Sequence, residues 1–175
     1  MSRRPTKAEL EQRLHELEQE YAEVKGAVSE RGERYRVIFE NTGNASIIIG
    51  QDSIILIANS NFEKLSGYSR QEMEGRMSWT AFIADEDLER MKLYHAMRKE
   101  DPASAPGSYE FLFKTRSGDI RDIFLTVGTV PGTGEIIASC MDITERKQAE
   151  EALRASEEQY RGILDSIDEA YVELD

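Results

Sequence analysis

The chain is predicted to fold as an α+β domain with a helix at each end. Three observations predict this. Five short apolar runs have the length and turn punctuation of strands. The helical patterns sit together between the second and third runs, which is unlike an alternating parallel sheet. Both ends of the 175-residue chain carry apolar residues at steps of four and three, the spacing of a helix stripe.

The first stripe is Leu10, Leu14, Leu17, Tyr21, Val24 and Val28, and its register continues through Arg31 to Tyr35 and Ile38. Glu, Gln, Lys and Arg fill most other positions. A seam this narrow cannot bury itself on an isolated helix, so a coiled coil with the same helix of a second chain is expected. Gly26 and Gly32 weaken the helix toward its end.

Ala45 to Ile49 and Ser53 to Ala58 read as a β-hairpin turned by Gly50-Gln51-Asp52. Asn59 is placed to cap a helix over Ser60 to Leu65, which Gly67 ends. Ser69 and Glu72 have capping-box spacing, and Gly75 stops that second short helix. Asp85 opens a longer helix with Leu88, Met91, Tyr94 and Met97 apolar, and Asp101-Pro102 closes it. Three strands follow: Tyr109 to Thr115, Ile120 to Val130 and Glu135 to Met141. Ser117-Gly118 and Pro131 to Gly134 supply the turns between them. Asp142, with Glu145 three residues on, caps a final helix to about Leu164. Its weaker seam is Ala149, Leu153, Ser156, Tyr160, Ile163 and Ile167.

Composition narrows the function. The formal net charge is -12, which repels phosphate backbones and argues against direct nucleic-acid binding. Cys140 is the single cysteine, so no internal disulfide forms and it is expected in the core. His15 and His95 are far apart, and no cluster has metal-ligand spacing, so no metal is expected. No apolar signal region follows Met1 to Lys7. The most apolar stretch, Ile47 to Ala58, is interrupted by Gln51 and Asp52 and falls short of the ~20 residues of a membrane span. The chain is therefore expected to be cytoplasmic, without membrane contact of its own. An anchor elsewhere in a longer parent is compatible with that.

The start of the domain returns near the end of the chain. Glu33-Arg34-Tyr35-Arg36-Val37-Ile38-Phe39-Glu40 aligns with Glu158-Gln159-Tyr160-Arg161-Gly162-Ile163-Leu164-Asp165, 125 residues later. Ala45, Ile47 and Ile49 then match Ala170, Val172 and Leu174. Tandem domains at this period are expected. The predicted organisation is a coiled-coil helix over 1–32, a domain over 33–142, an outgoing linker helix over 143–164, and the start of a truncated second repeat over 165–175.

Ala58-Asn59-Ser60-Asn61-Phe62, Leu65-Ser66-Gly67-Tyr68-Ser69 and Glu72-Met73-Glu74-Gly75-Arg76 resemble the central helical signature of PAS domains. Ile83-Ala84-Asp85-Glu86-Asp87 is similar to the motif that opens their long helix, with Ala84 where Pro is usual. Lys114-Thr115-Arg116-Ser117-Gly118-Asp119 resembles the hairpin between their third and fourth strands, and Asp142-Ile143-Thr144-Glu145-Arg146-Lys147 their exit motif. The resemblance covers about Glu33 to Lys147. It implies a five-stranded antiparallel sheet cupping a small pocket, short helices on one face, and signalling helices at both ends. It implies a sensory module that dimerises through its flanking helices and relays a small-molecule or conformational cue to an output domain of the same polypeptide, such as a histidine kinase. Asp142 and Thr144 are the implied relay between sheet and outgoing helix. Trp79, Phe82, Met91, Tyr94, Phe111, Phe113, Phe124, Thr126 and Ser139 are the implied pocket residues.

Two alternatives stand beside that expectation. One is a ligand-free dimerisation and spacer module. The other is a haem- or flavin-binding redox or gas sensor. Flavin photoreceptor relatives carry a reactive Cys where this chain has Met77-Ser78-Trp79, and His95 lies later on the long helix than the haem ligand of relatives, with Arg90 near that place. No cofactor is therefore expected. His15-Glu16-Leu17 is similar to the start of a phosphoacceptor box but departs from it at Glu18-Gln19-Glu20. With no P-loop, dinucleotide fingerprint or nucleophile motif, the chain is not expected to be an enzyme.

Overall fold

A computed structural model describes Arg13, Gln19, Tyr21 and residues 32–172, with side chains to residue 162. The chain divides into two compact units, Met1–Thr42 and Gly43–Asp175. In the first unit, residues 32–40 form helix α1. Asn41 closes it, its backbone and side-chain N–H groups both reaching the Val37 carbonyl, the latter at 2.7 Å. Tyr35, Val37 and Ile38 are exposed on this helix. Of the predicted coiled-coil seam, Leu10, Leu14, Leu17, Val24 and Val28 lie outside the described residues. Tyr21 is helical and exposed.

The second unit holds the predicted five strands in one antiparallel sheet: β1 (Ala45–Ile49), β2 (Ile55–Ala58), β3 (Ser108–Lys114), β4 (Ile120–Thr129) and β5 (Ile136–Asp142). Their order across the sheet is β2-β1-β5-β4-β3. β1 and β5 are paired from Ala45 opposite Cys140 to Ile49 opposite Ile136. This pairing joins the β1–β2 hairpin to the β3–β4–β5 meander in one sheet.

Between β2 and β3 the chain forms α2 (Ser60–Ser66), α3 (Arg70–Met73), a 3-10 turn (Trp79–Phe82) and α4 (Asp85–Glu100). The caps explain the breaks. Gly67 adopts φ 78 at the end of α2, a left-handed conformation that favours glycine. The Glu72 carboxylate accepts from both the N–H and the hydroxyl of Ser69, closing the start of α3. Those hydrogen bonds hold the Glu72 carboxyl below its ordinary range, the Ser69 N–H most of all. Helix α4 has only Ala84 at its N-cap. Asp87 instead anchors the helix from its side, accepting the Leu112 N–H at 2.7 Å and the Arg90 guanidinium at 2.6 Å, which fastens α4 to β3.

One face of the sheet carries the core. Phe62, Phe82 and Phe113 meet with ring centroids 5.3 to 5.9 Å apart, edge-to-face or stacked. Ile47, Ile55, Met73 and Ile123 fill the space around them. The other face exposes Ile57, Ile137, Phe124 and Met141.

Helix α5 runs Thr144–Val172. It passes the predicted end near Leu164 and includes Ala170 and Val172, which the repeat had placed on a strand. A helix satisfies its own backbone, whereas a strand needs a partner ladder.

Asn59 holds the first hairpin to the helices. It is fully buried. Its Oδ1 accepts the N–H groups of Ser46 and Phe62, each at 2.9 Å, and its Nδ2 donates to the Asn44 carbonyl at 2.8 Å. Asn59→Ala leaves these buried groups without partners, so it is expected to destabilise the domain by about 2–4 kcal/mol. Urea unfolding followed by circular dichroism measures this.

Candidate functional site

A cavity of about 40 Å³ lies between the inner sheet face and the helices. β1 contributes Ile47 and Ile49, β4 Leu125 and Val127, and β5 Ile136, Ala138 and Cys140. The far wall is aromatic, with Phe62, Trp79, Phe82, Phe111 and Phe113. Met91, His95 and Arg98 project from one stripe of α4, at the four- and three-residue steps that share a helix face. A single water needs roughly 10–15 Å³ of such space, so the cavity suits a few heavy atoms. A porphyrin or a flavin ring is many times larger.

The polar groups gather at one end. Arg98 is 3% exposed. Its guanidinium donates to the Pro106 carbonyl and, at 3.5 Å, to that of Tyr94. No carboxylate pairs with it among the described residues. His95 packs against Trp79 at 5.1 Å between centroids, with its Nε2 3.3 Å from the Ser53 hydroxyl. Burial, helped by the positive charges of Lys99 and Arg98, lowers the His95 pKa to about 4. The Trp79 indole N–H is buried with no hydrogen-bond partner, which costs about 1–3 kcal/mol. Cys140 also lines the cavity, but burial pushes its thiol up to about 12, so it stays protonated and unreactive at neutral pH. Burial likewise raises Tyr109, with Arg98 and Arg90 pulling the other way.

A second feature lies where β4 and β5 meet α5. Asp142 Oδ1 accepts the Thr144 N–H at 2.9 Å, so it serves the first turn of α5 from the end of β5. Glu145 does not close a capping box with it. The Thr144 hydroxyl accepts the Asp122 N–H at 2.9 Å, and the Ile143 N–H donates to the Asp122 carbonyl at 2.9 Å. Lys147 Nζ lies 2.8 Å from both Asp122 and Glu110, whose hydrogen bonds raise its pKa, Asp122 foremost. Arg121 stands 3.6 Å from Asp142. Three contacts from the first turn of α5 and the residue before it thus bind its start to one residue of β4.

A family model described as PAS domain matches residues 43–145, more than half of the chain. This chain belongs to the PAS family. It is a PAS sensory domain related to those of histidine kinases. It is 25% identical over 130 residues to the cell-division control histidine kinase PdhS of Brucella anthropi and 26% identical over 132 residues to that of Brucella ovis. These alignments cover 74% and 75% of this chain but only 12% and 13% of the relatives. Among solved structures, the PAS domain of an HTR-like protein from Haloarcula marismortui superposes with TM-score 0.54 at 20% identity, covering 70% of this chain and 99% of that one. A PAS domain from Colwellia psychrerythraea gives 0.57 at 18%, covering 65% and 97%. A sensory box histidine kinase/response regulator from Burkholderia thailandensis gives 0.52 at 23%, covering 73% and 98%. These likenesses show the PAS fold.

Five of the nine predicted pocket residues line the cavity: Trp79, Phe82, Met91, Phe111 and Phe113. Four do not. Tyr94 lies one position off the inward stripe of α4 and packs edge-on against Tyr109 at 5.1 Å. Phe124 and Thr126 occupy the outward parity of β4 and are exposed. Ser139, opposite Thr126, shares that outer face. Strand alternation places Leu125, Val127, Ala138 and Cys140 inside instead. The all-aliphatic parity Ile123, Leu125, Val127 was the available signal. His95, considered only against the haem-ligand position, and Arg98, not singled out, had no signal beyond their spacing from Met91. Asp142 and Thr144, the residues expected to act as a relay, do meet, and Asp122 is the partner that the sequence did not reveal.

Two measurements follow. Thr144→Val keeps the shape but leaves the Asp122 N–H unpaired, and Asp142→Ala removes the cap. Each is expected to lower stability by about 1–2 kcal/mol in denaturant titration, with faster amide exchange at Asp122 and Thr144. His95 is expected to remain neutral until pH falls to about 4 in an imidazole NMR titration. Its folded pKa lies below the ordinary 6.5. The unfolded chain therefore takes up this proton first, and stability present above that value declines as pH falls toward about 4.

Proposed function

We propose that this PAS domain senses a small molecule in its inner cavity and passes occupancy to α5 through β4. The observation that carries this is the double use of one strand. β4 gives Leu125 and Val127 to the cavity wall and Asp122 to the first turn of α5. A shift of the strand against its contents moves the N-terminus of a long helix, a recognised form of signalling transition. The output domain lies in the same polypeptide, and the PdhS relatives favour a histidine kinase. The module itself performs no catalysis, works in the cytoplasm and acts as a homodimer. The exposed apolar side chains Ile57, Ile137 and Met141 on the outer sheet face support a covered, dimeric state, as does the narrow apolar seam from Leu10 to Val28.

The small cavity favours one other reading, a ligand-free dimerisation and spacer module. Native mass spectrometry separates the two. A dimer retaining added mass supports sensing, and a dimer of bare chains that no small molecule shifts supports the spacer.

The coupling itself is tested by filling the cavity covalently. Ala138→Leu adds bulk beside Val127, its partner on β4. Hydrogen–deuterium exchange is expected to change by several-fold at residues 144–147, and Thr144→Val is expected to blunt that response. Changes confined to the cavity lining would sink the relay.

A further inference from the structure

The cavity has walls for a hydrocarbon and an end for an anion. Every charged or strongly polar side chain at that end other than Tyr109 donates or is neutral. Arg98 and the Trp79 indole carry donors only, and no Asp or Glu lines the cavity. The Arg98 guanidinium has five N–H groups, and its contacts with the Tyr94 and Pro106 carbonyls and the Tyr109 hydroxyl leave donors and a full positive charge without an acid partner among the described residues. The Trp79 N–H, 93% of whose residue surface is buried, has no acceptor among the described residues. His95 lies between the two residues in sequence and space, its ring tilted against that of Trp79 at 5.1 Å and its position one turn before Arg98 on α4.

We infer that the cavity takes a short aliphatic monocarboxylate of about two to four carbons, its carboxylate at the Arg98–Trp79 end and its chain among the phenylalanine rings. The inference rests on reading the cavity as a ligand site. A buried cation without a counter-charge is costly, and an oxyanion relieves it with charge-assisted hydrogen bonds. The volume sets the length: about 40 Å³ is roughly three waters' worth of space. Entry is built into the same residue. Arg98 and Ile136 line both the cavity and an open groove of about 450 Å³ at the end of α4. Lys99 lines this groove, its ammonium bonded to the Gln51 carbonyl, and adds positive potential at the mouth. Arg98 thus meets an arriving anion from the outside and holds it on the inside.

The test titrates the whole chain with acetate, propionate, butyrate, propionamide and 1-propanol at constant ionic strength set with sodium chloride. Trp79 is the sole tryptophan, so its indole ¹H–¹⁵N resonance and fluorescence report from the site. Propionate is expected to bind at least about ten-fold tighter than either neutral isostere, with a saturable downfield shift of the indole N–H. Arg98→Met, which keeps the stem, is expected to erase that preference while neutral binding persists. If propionamide or propanol binds wild-type protein as tightly as propionate, the carboxylate assignment is overturned and the cavity stands as a ligand site. If none of the five moves the indole resonance, the ligand-site reading falls with it. The wild-type comparison decides the matter even where Arg98→Met fails to fold.

Discussion

Asn59 sits where β2 ends and α2 begins, and its side chain does the work of three backbone contacts. Its carbonyl oxygen caps α2 at Phe62 and pairs with Ser46 of β1, while its amide reaches Asn44. Because the residue is wholly buried, water cannot replace any of these bonds. The geometry of α2 then follows from the position of β1. Phe62, at the capped turn, is thereby delivered to Phe82 and Phe113, and the inner face of the sheet acquires the aromatic wall of the cavity. The cavity exists because a rigid polar joint fixes the angle between sheet and helices.

The sheet's two parities have separate duties. Inward residues of β4 and β5 enclose the cavity, and the ends of the same strands hold α5. Asp122 is bonded to Ile143, Thr144 and Lys147 through its carbonyl, N–H and carboxylate. The strand and the start of the helix are thus tied at three points of one residue, the geometry on which the proposed relay rests. The ion pairs around Lys147 are partly exposed, and exposed pairs contribute little stability. Their use is directional, since they fix the orientation of the first turn of α5.

Much of this was legible in the residues. The caps at Asn59, Gly67 and Ser69 were predicted because local chemistry sets helix ends. All five strands and the long helix α4 lie close to their predicted bounds. The cavity was only half legible. Large aromatic residues such as Trp79, Phe82, Phe111 and Phe113 were found by type, since a small core needs them. Phe124 was misplaced by the same criterion, because size does not reveal which parity of a strand faces inward. Arg98 was missed because a long cationic side chain near a helix end ordinarily lies in solvent.

The residues alone settled the element order, the ends of the short helices between β2 and β3, the family, and the residues at the strand–helix exit, because each depends on near neighbours or on motif spacing; the end of α5 was not among them. Tertiary structure decided which strand parity faces the cavity, that Asp122 is the partner of Thr144, and that Arg98 and the Trp79 N–H turn inward without acid or acceptor. Those outcomes join residues tens of positions apart through the β4–β5 register and the packing of α4 on the sheet. No local rule along the chain encodes such a meeting; only the register between distant strands does.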